Sequence, residues 1–196
     1  LQRRRQRQMC IRDSPIAVAK IVASEIGLDA VSIASALIHD VVEDNNDHTL
    51  ERIQKEFGDK IAKIVDGLTK IGKLNTKGYS DVSIQAENYR KMLLTLNEDV
   101  RVIIIKIADR LHNMQTLGSM PYEKQIQKAS ETLYIYAPLA HRIGLYNIKT
   151  ELEDLGLKYT DPDTYDEISK KLIESKKDQD ELSLIHISEP TRHRGI

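Results

Sequence analysis

A chain of 196 residues with 40% hydrophobic and 30% charged side chains suffices for one ordinary domain, or a domain and part of a second, and is too apolar to stay disordered. Its single cysteine, Cys10, excludes a disulfide framework and agrees with a reducing, cytoplasmic compartment, and no apolar run approaches the length of a membrane span. The net charge of −1 hides an asymmetry, because five arginines and no acid lie within residues 1–12. That basic opening carries no aromatic or apolar pattern that could read a base, so it is expected as a solvated terminus and not as a nucleic-acid arm.

Aromatic residues are only 5% and Trp is absent, so the core must be built from Ile, Leu, Val and Ala. Pro15 suits a first helical turn, after which Ile16, Ala19, Val22 and Ala23 recur on one face up to Gly27. Asp29 can cap a second helix that runs through Val31, Ile33, Ala34, Leu37, Ile38, Val41 and Val42. Thr49 can cap a third, with Leu50, Ile53 and Phe57 inward and Gly58 ending it. Ile61, Ile64, Val65 and Leu68 predict a fourth, followed by a polar loop from Gly72 to Ser80. Further helices are predicted around Ile84–Leu96, Val100–Leu117, Tyr122–Leu139, Ile148–Leu155 and Tyr165–Ile173. No segment sustains period-two alternation and no internal repeat is present, so the fold class is all-α, a multi-helix bundle.

After His141 the character shifts, as Gly144, Gly156 and the Asp161-Pro162-Asp163 turn punctuate shorter, more charged helices. Residues 15–144 are therefore expected as the main domain and 145–181 as a helical connector, with Lys170–Asp180 a solvated helix face. Met9–Ser14 (MCIRDS) and Leu182–His193 (LSLIHISEPTRH) look like adapter DNA translated in frame, and helical periodicity is clear only from Pro15 to about Lys177. Residues 1–14 and 182–196 are accordingly set apart as segments of non-native origin that pack little against the body.

Two stretches carry the chemistry. The first is Leu37-Ile38-His39-Asp40-Val41-Val42-Glu43-Asp44. On a continuous helix His39 and Glu43 lie at i and i+4, as do Asp40 and Asp44, while Asp40 and Glu43 lie at i and i+3. Three acids within a turn and a half repel one another by roughly 0.2–0.5 kcal/mol per pair, near a helix end whose dipole disfavours anions. The helix before them is apolar nearly all round, broken by small Ser32 and Ser35, and unpaired acids on a buried helix are costly. A divalent cation resolves the conflict. The second stretch runs from Val102 to Leu117: Ile103, Ile107, Leu111 and Met114 form one stripe, and Asp109, Asn113 and Thr116 line the opposite face. Ile105 and Ala108 flank that polar face, although a surface Asp on an amphipathic helix gives the same spacing.

Taken together, these stretches resemble the HD phosphohydrolase superfamily, in which a His, a His-Asp pair and a distant Asp hold a divalent metal. Residues 15–177 resemble, more closely, the N-terminal hydrolase domain of long RelA/SpoT-type enzymes, which hydrolyse ppGpp and pppGpp. The matching stretches are Pro15–Ala19 (PIAVA), Ala36–Asp44 (ALIHDVVED), Val65–Lys70 (VDGLTK), Ala86–Leu93 (AENYRKML), Ile107–Leu117 (IADRLHNMQTL) and Tyr136–Gly144 (YAPLAHRIG). The resemblance implies that His39, Asp40 and Asp109 are metal ligands, that Glu43 and Asp44 are the catalytic acids, in either order, and that Asn113 and Thr116 line the nucleotide pocket. It implies release of pyrophosphate and GDP or GTP, usually with Mn2+, while mixed His and carboxylate donors also suit Fe2+ or Zn2+. The implied partner is a guanine nucleotide alarmone, with no membrane or nucleic acid, and the implied downstream neighbour is a synthetase domain.

Two positions depart from the family pattern. Ser14 stands where a metal-binding His precedes the proline, and Gln115 replaces a common Arg, so the resemblance implies impaired activity in this chain. Arg110 and Lys106 are expected as solvated helix charges, His112 as a packing or supporting residue, and His48 and His141 without a catalytic role. Another HD-type nucleotide phosphatase or cyclic-dinucleotide phosphodiesterase would keep the ligands, but would not be expected to share AENYRKML. A regulatory HD module would be expected to lose the His-Asp pair, and a helical interaction protein would not concentrate acids on a buried helix.

Overall fold

The computed structural model describes residues 14–44, 49–72 and 99–188, with the backbone alone at 43, 44, 72 and 177–188. The helix predicted at residues 84–96 lies outside the described residues, as do 1–13, 189–196 and the loop predicted from Gly72 to Ser80 except for Gly72 itself, which is helical. The described residues are helical and hold no strand. The elements are α1 (residues 14–26), α2 (Ala30–Leu37), α3 (Val41–Asp44), α4 (Leu50–Phe57), α5 (Asp59–Gly72) and α6 (Val100–Gln115), then α7 (Tyr122–Glu131), α8 (Ala137–Arg142), α9 (Tyr146–Thr160) and α10 (Pro162–Ser188).

The caps follow the local chemistry. The Asp29 carboxylate accepts from Ser32 N (3.0 Å) at the start of α2, and Thr49 Oγ1 accepts from Arg52 N (3.4 Å) at the start of α4. Asp99 accepts from Arg101 N (3.0 Å) at the start of α6, and the Arg101 guanidinium bridges from Asp99 to Asp29 (3.4 Å), tying the entrances of α6 and α2 together. Gly58 closes α4 at φ 87°, a backbone region that side chains with a Cβ rarely adopt. Asp161 and Pro162, read as a turn, form the cap and first residue of α10: Thr164 N and Oγ1 both donate to the Asp161 carboxylate.

Three expectations are corrected by packing. In α1 the buried face is Val18, Ala19, Ile21 and Val22, while Ile16 and Ala23 are exposed. The second half of α1, Ile21–Ile26, is a wide π-type turn, and its extra residue per turn shifts the apolar phase. Phe57, expected inward, is 49% exposed at the end of α4. The predicted Tyr122–Leu139 helix runs on to Arg142 through a second π-type turn, Thr132–Tyr136. That wide turn precedes Pro138, whose ring and missing N–H would disrupt a regular α-helix.

The main core is aliphatic, as composition required. Ile64 and Leu68 of α5 and Ile103, Ile107, Leu111 and Met114 of α6 are all essentially inaccessible and share one cluster with Val18 and Val22 of α1. Beyond the turn at Gly144, α9 packs back on α6 and α7 and lays Ile148 and Leu152 into the same core. The chain leaves the core after α9, since Ile168, Leu172 and Ile173 of α10 are exposed. A smaller cluster of Ile53, Ala62 and Val65 carries Ile38 and Val42 on top, so the α4–α5 pair forms a platform under the turn between α2 and α3.

Close approach of α5 and α6 requires Gly67, because a Cβ there would sit 2.9 Å from a methyl of Val102. Gly67→Leu is expected to destabilise the fold by about 1–3 kcal/mol through overpacking, read as a lower urea midpoint at constant slope. Asp99→Ala is expected to cost about 1 kcal/mol at neutral pH through loss of the α6 cap. Hydrogen bonding from Arg101 holds the Asp99 carboxyl below its ordinary value of 3.8 in the folded protein. The stability difference between the two proteins should therefore be full above that value and vanish as pH falls through the lowered folded one, which urea titrations at a series of pH values measure.

Candidate active site

The first site segment is not a continuous helix. α2 stops at Leu37, Ile38 leaves helical geometry (φ −116°, ψ 15°), and His39 and Asp40 occupy the turn before α3. The break turns His39 fully inward, to 0% exposure, where Nδ1 lies 2.7 Å from the Ala36 carbonyl oxygen. A carbonyl only accepts, so Nδ1 carries hydrogen and donates, and Nε2 is the end whose lone pair a proton or a metal ion would take.

That nitrogen faces acid from two directions: Asp40 Oδ2 at 2.9 Å and Asp109 Oδ1 at 3.7 Å, the latter from the middle of α6. It is buried and has no aligned hydrogen-bond partner. A lone pair directed at two carboxylates is repulsive unless positive charge, a proton or a metal ion, lies between them. Burial opposes a protonated ring, but Asp109 and Asp40 outweigh it and raise the His39 pKa from 6.5 to about 10. Among the described residues no group of three His, Cys, Asp or Glu already stands as a complete metal-ligand set. The two separations from Nε2, 2.9 and 3.7 Å, bracket the roughly 3.0–3.4 Å between donors that each stand about 2.1 Å from one ion at right or tetrahedral angles, so a shared cation would require Asp109 to close by a few tenths of an ångström.

Asp109 is the hub of the α6 face. Its Oδ1 accepts from Asn113 Nδ2 (2.9 Å), and Lys106 Nζ stands 3.6 Å from Oδ2. Burial would raise its pKa, yet His39, Lys106 and Arg110 together hold it at about 2. Thr116 is placed differently: it ends α6, is exposed, and its Oγ1 donates back to the His112 carbonyl (3.0 Å). Ser14 sits in α1 with Oγ 3.3 Å from Nδ1 of His112, which accords with a supporting place for that histidine. Glu43 and Asp44 are on α3, and their side chains, like all of His48, lie outside what is described. His141 is exposed on α8, edge-on to Tyr146.

Lys106 and Arg110 overturn the expectation of solvated charges, being only 9% and 7% exposed. The Arg110 guanidinium reaches Glu131 Oε1 at 3.0 Å and lies 4.2 Å above the centroid of the Tyr136 ring. Burial works against its charge, while Tyr136 and Glu131 favour it and raise its pKa further. One signal of this was in the sequence: the run from Val102 to Met114 is apolar on so many sides that little of α6 was left for water.

A buried His-Asp turn facing an acid on a second helix is the arrangement that defines a class. The chain belongs to the HD domain family, whose model matches residues 1–146. It is 44% identical over 180 residues to the guanosine-3′,5′-bis(diphosphate) 3′-pyrophosphohydrolase of Haemophilus influenzae, covering 92% of this chain and 26% of that protein. The enzyme of the same name from Aquifex aeolicus is 47% identical over 167 residues, 85% of this chain and 23% of its own length. A GTP pyrophosphokinase of Brucella ovis is 46% identical over 160 residues, 82% of this chain and 21% of its own length. The chain thus spans about a quarter of the length of these relatives, and their names agree with the RelA/SpoT-type resemblance of ALIHDVVED and IADRLHNMQTL.

Removing one member of the buried Arg110–Glu131 pair strands the other charge. Arg110→Ala is expected to cost about 3–5 kcal/mol, measured by chemical denaturation, well above an exposed-pair control such as Lys171→Ala.

Proposed function

We propose that this site hydrolyses the 3′-pyrophosphate of ppGpp and pppGpp, giving GDP or GTP and pyrophosphate, with Mn2+ as the metal. The observation that carries the reading is the buried Nε2 of His39, aimed without a hydrogen-bond partner at carboxylates from two separate elements. In this reading His39, Asp40 and Asp109 hold the ion, and the same donors would accept Fe2+ or Zn2+. A bound divalent cation supplies Lewis acidity toward phosphate oxygens and water, and offsets the charge of a polyanionic substrate in an acidic domain.

The remaining chemistry belongs to the side chains. Glu43 orients the attacking water and takes its proton, with Asp44 assisting, in either order. The bond between the ribose 3′ oxygen and the nearer phosphorus breaks, the water oxygen stays on the pyrophosphate, and a proton returns to the 3′ hydroxyl. Asn113 keeps Asp109 Oδ1 oriented through its amide while lining the nucleotide pocket, and Thr116 contacts the nucleotide from the end of α6. The partner is a guanine nucleotide in the cytoplasm, and among the described residues no helix is long and apolar enough to cross a membrane.

Ser14 qualifies the rate. A neutral hydroxyl already bonded to His112 is a poor substitute for the imidazole that the family places there, so the site is weakened as it stands. Ser14→His is expected to tighten Mn2+ binding and to raise turnover by up to about a hundredfold through better positioning of water. Asp109→Ala is expected to abolish both Mn2+ binding, followed by calorimetry, and pyrophosphate release from ppGpp. An Asp109→Ala protein that kept the parent's Mn2+ affinity would overturn the ligand assignment.

A further inference from the structure

The geometry points to Arg110 as a positioning residue for Asp109: held by Glu131 and Tyr136, it sets the rotation of α6 about its own axis, so that Asp109 faces His39. The purpose of that orientation rests on the metal-site reading above; the orientation itself does not.

Neighbouring residues on an α-helix project about 100° apart, so fixing the direction of residue 110 fixes that of residue 109. The guanidinium is held from two sides, by Glu131 Oε1 at 3.0 Å and by the Tyr136 ring at 4.2 Å, with all three residues less than 10% exposed. Lys128 Nζ stands 3.6 Å from the other carboxylate oxygen of Glu131. One guanidinium nitrogen meets the carboxylate while the planar group lies over the Tyr136 ring, and the two contacts together are directional. The apolar stripe of Ile103, Ile107, Leu111 and Met114 resists rotation through close packing but carries no polar group that fixes where a charge points.

Something must oppose rotation at this helix. Asp40 and Asp109 both close on one ring nitrogen, and whenever neither a proton nor a metal ion lies between them the repulsion of their carboxylates favours a rotation of α6 that carries Asp109 away from His39. A buried ion pair is a poor device for stability, because desolvation cancels most of its attraction. Directional restraint is what it offers that a hydrocarbon contact does not.

The test is the double variant Arg110→Met/Glu131→Leu in the 196-residue chain, which replaces the pair by apolar groups of similar size. Its urea midpoint is expected to equal or exceed the parent's, as often follows for such replacements. Its Mn2+ affinity, by calorimetric titration with Mn2+ alone, is expected to fall about tenfold. In a metal-free crystal structure its His39 Nε2 to Asp109 Oδ1 separation is expected to exceed 3.7 Å. A folded double variant that kept both the parent's affinity and that separation would overturn the inference. If the double variant fails to fold, Arg110→Lys, which keeps the charge without the planar guanidinium over Tyr136, is read in the same way: weaker Mn2+ binding at an unchanged midpoint supports the inference, and unchanged binding overturns it. Should the parent itself bind no Mn2+, the metal reading fails and the metal-free separation alone decides the positioning role.

Discussion

The imidazole of His39 is fully buried with its Nε2 between two carboxylates, and the rest of the structure is arranged around that contact. A buried polar ring is costly unless its other nitrogen is satisfied, and the Ala36 carbonyl satisfies it only because α2 stops one residue before Ile38. The break needs support from below, and the α4–α5 platform supplies it through Ile38 and Val42. Gly67, on the α5 side of that platform, lets α5 come close to Val102 of α6, the helix that carries Asp109. One electrostatic arrangement thus constrains a helix end, a packing layer and an interhelical distance.

The same contact explains why α6 buries so much charge. A helix with Val102, Ile103, Ile105, Ile107, Ala108, Leu111 and Met114 inaccessible has few directions left for its polar residues, so each finds a partner inside the protein. Asp109 turns to His39, Asn113 and Lys106, while Arg110 turns to Glu131 and Tyr136. Positive charge on both sides of Asp109 keeps it ionised at a depth where an isolated carboxyl would hold its proton. The chain belongs to the HD domain family and is 44–47% identical to relatives named as pyrophosphohydrolases, and an ionised, oriented carboxylate is the state of Asp109 that the proposed metal site would use.

Much was legible in the chain itself. Aliphatic periodicity marked α5 and α6, and Asp29, Thr49 and Gly58 marked helix ends, because caps and glycine conformations depend on local chemistry alone. The clash of three acids beside an apolar segment was equally readable, since repulsion along a few residues needs no knowledge of the fold. His39, Asp40 and Asp109 were singled out from their own stretches, and Asp109 and Asn113 were correctly placed on one face of α6.

Tertiary structure decided the rest, wherever a side chain's state depends on what lies across the core. The π-type turns of α1 and of Thr132–Tyr136 carry no composition signal, and within that of α1 Ala23 turns out, while before it the core selects Val18 and Ala19 and leaves Ile16 exposed. The expected continuous helix is instead broken at Ile38, and the break turns His39 inward, where its Nδ1 donates to the Ala36 carbonyl. Lys106 and Arg110 changed from solvated to buried because the compensating groups for Arg110, Glu131 and Tyr136, are supplied by a segment more than twenty residues away. The sequence by itself determined which residues carry charge and which form helices, both local properties; the direction each charge faces is a property of the packed helices, since only they set what it meets when water is removed.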